Sequence, residues 1–228
     1  MKDNYDVWWQ KGNETDDDMA RDHEAAWYRT ISQIDQADIK DKKVLDFGCN
    51  QGGLLRLLYD TIPFQQGVGI DLAKVSLEKA KEMAGNRPLQ FYLTDTPVDV
   101  KQRFHTVLST SVLYLIEDVY AHAEAIKAVL EPNGVYYATF SDVTNNPSRE
   151  YMAETINKYG ATPSQDHTLK YVVDSFVQAG FNVSVMKEKV PEEIVITHYE
   201  DFYLTPNDYL RNIYEESFLI KATLKAGA

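Results

Sequence analysis

The sequence predicts an α/β protein with a doubly wound, mostly parallel sheet covered by helices on both faces. Short apolar runs alternate with longer stretches of helical period. The runs are apolar throughout rather than alternating in and out, as expected of strands buried on two sides. With 228 residues, 44% of them hydrophobic, the chain can fill one sizeable core.

Residues 12–18, Gly-Asn-Glu-Thr-Asp-Asp-Asp, read as a loop ending in a helix N-cap and first-turn acids. Met19, Ala26, Trp27, Ile31 and Ile34 then recur at helical spacing, giving a helix to about Ile39. Val44-Leu45 is a short strand, Gly48 to Gly53 a glycine-bearing turn, and residues 54–58 the start of a helix.

The alternation repeats. Residues 67–70 form a strand ending at Asp71, and a helix over 72–84 carries Leu72, Val75, Leu77 and Ala80 as apolar positions. A strand over 89–93 ends near Asp95, and 106–108 is a buried strand followed by a helix from about 116 to 130. Glu131-Pro132-Asn133-Gly134 is a turn, with Gly134 free to take positive φ, before a strand over 135–140. Helices follow over 147–159 and 167–179, the second capped by Gly180. Strands over 181–185 and 217–224 flank a segment rich in Tyr, Phe and acids, long enough to be functional or to hold further structure.

The formal charge of −12 disfavours a nucleic-acid surface, which needs clustered Lys and Arg. Acid predominates at both ends: residues 1–24 hold eight Asp/Glu against three Lys/Arg, and residues 191–216 hold seven against one. Large nucleic acids and anionic membranes are poor partners, and solubility alone accounts for much of this charge. One cysteine, Cys49, permits no internal disulfide and no cysteine-rich metal site. The N-terminus has no apolar signal region and no run is long enough to span a bilayer, so the cytoplasm is the expected compartment.

In an open parallel sheet, ligands bind at the carboxyl ends of the strands. The strand ends here carry Asp46-Phe47-Gly48, Asp71, Asp95 and Ser109-Thr110-Ser111. An acid 25 residues after Asp46, at the end of the second strand, suits ribose hydroxyls. A dinucleotide fingerprint would need glycine at position 50, which is Asn. Asp46 would do nothing for a pyrophosphate, whereas the ammonium of an amino-acid moiety would welcome it.

Val44-Leu45-Asp46-Phe47-Gly48-Cys49-Asn50-Gln51-Gly52-Gly53 resembles the first motif of class I S-adenosylmethionine-dependent methyltransferases. The likeness continues in order through Val68-Gly69-Ile70-Asp71, Thr94-Asp95, Phe104 to Ser109, Val112-Leu113-Tyr114-Leu115, Leu130 to Gly134 and Ala179-Gly180-Phe181. It covers about residues 40–190, and the order and spacing of the motifs make the combination specific. It implies a Rossmann-like seven-stranded sheet with an antiparallel last strand. Residues 1–40 become an N-terminal helical cap and 41–189 the cofactor-binding core of a single domain over 1–228. Residues 190–216 become an acidic aromatic insertion or lid, and 217–228 the last strand.

The resemblance further implies S-adenosylmethionine as cofactor and S-adenosylhomocysteine as product. Asp46 and the loop with Gly48, Asn50 and Gly52 would hold the methionine part, with Asp71 on the ribose. Leu72 would pack on the adenine, Asp95 and Thr96 would meet its amino edge, and Ser109 would offer its backbone carbonyl to the amino group. Asn50 stands where the family usually has glycine, and Asn tolerates the left-handed conformation that the turn needs. Methyl transfer then requires chiefly that an acceptor lone pair be aligned with the S–CH₃ bond, and no metal.

The acceptor expected is a small molecule. The segment after the fourth strand, Ser109-Thr110-Ser111-Val112, lacks the Asn/Asp-Pro-Pro-aromatic signature of amino-directed nucleic-acid methyltransferases, and the aromatic, acidic segment 191–216 suits a neutral or cationic molecule. A non-catalytic S-adenosylmethionine-binding protein, or an enzyme acting on protein or RNA, are the alternatives. Tyr114 and His198 are the candidates for acceptor contact, and Tyr5, Trp8 and Trp9 lie in a segment that in relatives folds over the cofactor. Packing is the plainer reading for most of these aromatics. It is also the plainer reading for Cys49, for His105 at the far end of the sheet, for His122 on a helix surface, and for an exposed His167. His23 falls in a segment able to cover the site.

Overall fold

The computed structural model describes residues 4–12 and 16–224. The acids expected to start the first helix fall partly on 13–15, and 225–228 were assigned to the last strand; both lie outside the described residues.

The first helix, α1 (Asp16–Ile31), stops earlier than its apolar period suggested. Ile34 and Ile39 lie beyond it, in a turn and a short 3₁₀ segment Gln36–Asp38 capped by the Asp35 side chain. Both still reach the core, which explains why the period outran the helix. Strand β1 (Lys43–Phe47) leads through the glycine turn to α2 (Gly53–Thr61). Next come β2 (Gln66–Asp71), α3 (Lys74–Met83) and β3 (Leu89–Leu93). Leu72 precedes α3 instead of belonging to it, and Val75 points outward at 44% exposure.

Strand β4 (Phe104–Ser109) is followed by a 3₁₀ turn over Leu113–Leu115, so α4 (Val119–Val129) begins later than expected. In β5 (Leu130–Ser141), Leu130 and Val135 bracket an excursion over 131–134 in the pairing with β4. The positive φ of that excursion falls on Asn133, at 62°, and not on Gly134. Gly134 is required for space: a Cβ there would come 2.8 Å from the Glu131 carbonyl oxygen. Helices α5 (Arg149–Tyr159) and α6 (Leu169–Gln178) follow, and Gly180 with φ 101° closes α6 as expected. Strand β6 (Phe181–Lys187) is two residues longer than expected. The tyrosine-rich segment holds α7 (Pro206–Arg211) and a π-helical turn before β7 (Ser217–Leu224).

The seven strands lie in the order β3-β2-β1-β4-β5-β7-β6. β1 pairs in parallel with both β2 and β4, while β7 runs antiparallel between β5 and β6. The central strands bury nearly every residue, whereas edge strand β3 buries only Phe91. One apolar cluster packs α4 and α6 on one sheet face, through residues such as Ala123, Ile126, Val172 and Phe176. A second packs α2 and α3 on the other, through Leu54, Leu55, Leu58, Leu77 and Ala80. Each buried leucine contributes roughly 1.5–3 kcal/mol. The order in which strands are added reverses between the parallel neighbours β1 and β4, which opens a crevice at their carboxyl ends.

His122 corrects the surface reading. It is 6% exposed, its Nε2 lies 3.1 Å from the Tyr136 hydroxyl, and burial lowers its pKa to about 4. His167 is half-buried, with Nε2 2.7 Å from the Ile116 carbonyl oxygen. His105 opens β4 at the end of the sheet opposite the crevice, 3.9 Å from Asp38. Its neighbour Asp38 accepts from Tyr137 at 2.6 Å and from Lys221 at 2.9 Å, a polar tie across that end.

Candidate functional site

The crevice is a cavity of about 330 Å³. Its floor is the turn after β1, with Asp46, Gly48, Cys49, Asn50 and Gln51. The ends of β2 and β3 supply Asp71, Leu72, Thr94 and Asp95. Beyond β4 the wall is Thr110, Ser111, Val112 and the stretch Tyr114 to Asp118, with Thr162 after α5.

The floor turn is held by backbone and carboxylate together. Gly48 and Cys49 donate their backbone N–H groups to the Ile70 carbonyl at 2.8 and 3.0 Å. Gly48 has φ 76°, and a Cβ there would strike Val112 at 2.5 Å, so only glycine fits. Asn50 has φ 45° and tolerates it as expected. Its side chain turns back to accept the Gln51 N–H at 2.7 Å, away from the role of a ligand contact for that oxygen. Asp71 accepts from Asn50 N–H at 2.7 Å and from Ala73 N–H at 2.8 Å, joining the turns after β1 and β2.

Asp46 is 2% exposed and lines the cavity, and its carboxylate has no hydrogen-bond partner among the described residues. Burial, with Asp71 close by, raises its pKa to about 8. An isolated buried carboxylate of this kind calls for a cation. Cys49 is buried and its thiol pKa is raised, first by burial and then by Asp71 and Asp46, so it is a packed residue and no nucleophile.

The roof is aromatic. Residues 5–9 run as an extended strap: Tyr5 donates to the Leu72 carbonyl at 3.1 Å and accepts from Lys74 at 2.8 Å. At the other end Trp9 pairs with Gly160, and Ala161 donates to the Trp8 carbonyl at 2.9 Å. Tyr5, Trp8, His23 and Trp27 all line the cavity. Trp27 from α1 rests so close on Gly53 that a Cβ there would meet its ring at 2.5 Å. Tyr114 reaches the cavity beneath this roof, and burial, with Tyr5 nearby, raises its phenol pKa so that it stays protonated.

Of the expected site residues, Asp46, Gly48, Asn50, Asp71, Leu72, Asp95 and Tyr114 meet in this one cavity. Gly52, Thr96 and Ser109 do not line it, although their neighbours Gln51, Gly53, Asp95 and Thr110 do. His198 is exposed and lies outside it. No described residue of 190–216 lines the cavity either. That segment instead backs the strap: Phe202 packs on Trp9 with ring centroids 5.7 Å apart, and Asp201 pairs with Lys11. His23 lines the cavity, in keeping with its place in a segment able to cover the site, whereas Trp27, Glu117 and Thr162 enter the wall without having been singled out for it; only the helical placement of Trp27 hinted at its position.

A family model described as a methyltransferase domain matches residues 19–183. Two curated relatives are malonyl-[acyl-carrier protein] O-methyltransferases. The one from Anoxybacillus flavithermus is 26% identical over 44% of this chain and 40% of its own length. The one from Acetivibrio thermocellus is 26% identical over 49% of this chain and 41% of its own. The chain thus spans about two fifths of the length of the curated relatives it matches.

Among solved structures, a chain from the complex of the Haloferax volcanii Trm112 methyltransferase activator with a methyltransferase superposes with a TM-score of 0.71 at 18% identity, covering 91% of this chain and 94% of that one. The S-adenosylmethionine-dependent methyltransferase of Mesorhizobium loti gives 0.65 at 15% identity, covering 89% and 99%. Human N-acetylserotonin methyltransferase, in complex with S-adenosylmethionine, gives 0.64 at 14% identity, covering 91% and 54%.

Proposed function

Because the chain belongs to the class I S-adenosylmethionine-dependent methyltransferases, we propose that it transfers the methyl group to a small-molecule acceptor bound in the cavity beyond β4. The observation that carries the reading is the buried Asp46 carboxylate, which faces the cavity near Asp71 with no hydrogen-bond partner among the described residues.

The residues present fit the methyl donor. Asp46, which burial keeps protonated up to about pH 8, would give up that proton and pair with the ammonium of the methionine part. Asp71 accepts one backbone N–H on each oxygen and, as a carboxylate at the end of β2, would also accept from a ribose diol. Leu72 offers an apolar surface and Asp95 an acceptor for the adenine end. When bound, the donor supplies a methyl group on a positively charged sulfur, already strongly electrophilic. The chain's own residues then have to orient an acceptor and exclude water, for which the Tyr5, Trp8 and Trp27 roof is suited. Tyr114, protonated, would donate a hydrogen bond to the acceptor instead of removing its proton.

Small acceptors are favoured because the strap and α1 partly cover the cavity and no Lys or Arg lines it among the described residues, in a chain of net charge −12. The relatives acting on malonyl-[acyl-carrier protein] match too little of either chain to carry their acceptor across. Calorimetric titration with S-adenosylhomocysteine, with NAD as control, tests the cofactor. Radiolabelled methyl transfer into a fractionated metabolite pool and, separately, into total protein and RNA tests the acceptor. Saturable binding of S-adenosylhomocysteine with label in the metabolite fraction is expected. Label only in protein or RNA, or none in any fraction, would refute the reading.

A further inference from the structure

We propose that the acceptor is an organic amine, neutral or cationic, and carries no carboxylate or phosphate inside the cavity. The inference deepens the reading above and rests on the cofactor occupying the half of the cavity over β1, β2 and β3.

In that arrangement the acceptor faces the half over β4 and β5. Its wall is Thr110 to Val112, Tyr114 to Asp118 and Thr162, beneath Trp8. Two carboxylates stand here, Glu117 and Asp118. Both are exposed; the Asp118 side chain caps α4, with Oδ1 accepting the Ala121 N–H at 2.9 Å, which leaves Glu117 as the rim acid not tied to a helix cap. Among the described residues, no Lys or Arg lines any part of the cavity. Lys11, two residues beyond the strap, is paired with Asp201.

An anionic acceptor would therefore sit beside Glu117 and Asp118, with no Lys or Arg among the described lining residues to meet it. Like charges beside a bound anion disfavour its binding. An amine finds the opposite: carboxylates for its charge, and the faces of Trp8 and Tyr114 for cation–π contact. The curated relatives' acceptor, a malonyl carboxyl, is of the disfavoured kind.

The test uses the full chain saturated with S-adenosylhomocysteine. Binding of two ring-matched probe sets is measured by calorimetry: tryptamine and phenethylamine against indole-3-propionate and 3-phenylpropionate. The amines are expected to bind and the carboxylates not. Glu117→Gln should weaken the amines about three- to tenfold with S-adenosylhomocysteine affinity unchanged. Glu117→Lys should shift preference toward the carboxylates. Carboxylates binding as tightly as amines, or neither amine binding, overturns the proposal, as does methyl transfer to a malonyl thioester. If S-adenosylhomocysteine itself does not bind, the cofactor reading falls first and the proposal with it.

Discussion

The Asn50 backbone N–H donates to Oδ2 of Asp71 across 2.7 Å, locking the turn after the first strand to the acid that ends the second. The other oxygen of Asp71 accepts from Ala73 at 2.8 Å. One carboxylate therefore builds the floor of the cavity as well as facing it. Asp71→Ala should destabilise the cofactor-free protein by about 1–3 kcal/mol for each donor left unpaired. Urea denaturation measures this; a variant as stable as the parent would show that Asp71 has no structural role.

Asp46 gives the pH dependence its sign. Its pKa is 3.8 when unperturbed and about 8 in the fold, so between those values the folded protein holds a proton that the unfolded chain has released. Stability contributed by that proton is complete below pH 3.8 and is lost as pH rises toward about 8. Asp46→Asn should flatten this part of the profile and be the more stable form at pH 8. Thermal unfolding across pH 5–9, parent against variant, checks it; parallel profiles would contradict it.

Position 50 separates backbone from side chain. Asn50→Gly keeps the left-handed turn at φ 45° and should change cofactor affinity little, because the lost side-chain contact is internal to the turn. Asn50→Val forces a β-branched residue into that conformation and should cost about 1–2 kcal/mol. Chemical denaturation and calorimetry of the two variants check the ranking; Val tolerated as well as Gly would overturn it.

The strap is pinned by Trp9, which is 5% exposed and packs on Trp8, Tyr159 and Phe202. Trp9→Ala should loosen the roof and raise the KM for both substrates more than it lowers kcat. A truncation of this size costs about 3–5 kcal/mol where the site cannot collapse. Proteolysis near residue 9, slowed in the parent by bound S-adenosylhomocysteine, should accelerate in the variant.

The strand ends were legible because buried parallel strands read as plain apolar runs, and an acid such as Asp46 or Asp71 stands out at the end of one. The antiparallel last strand came with the family likeness, since nothing in Ser217 to Leu224 alone gives direction. The roof was half legible. Tyr5, Trp8 and Trp9 showed themselves by residue type, but their seating on Leu72 and Gly160 is made by backbone hydrogen bonds that no side chain announces. The lid expected of residues 190–216 rested on composition, and of its aromatics Phe202 instead packs against Trp9 of the strap, outside the cavity. His122 misled for a related reason: a polar residue at helical spacing reads as surface, and its buried partner Tyr136 is 14 positions away in sequence.

The central claim is that the carboxylates of Asp46 and Asp71, at the ends of adjacent strands, grip the adenosyl amino acid. Calorimetric titration of S-adenosylhomocysteine into Asp46→Asn, with folding verified by circular dichroism, tests it most directly. Loss of a buried charge partner should weaken binding by at least about 30-fold. An affinity equal to the parent's in a folded variant would contradict the account.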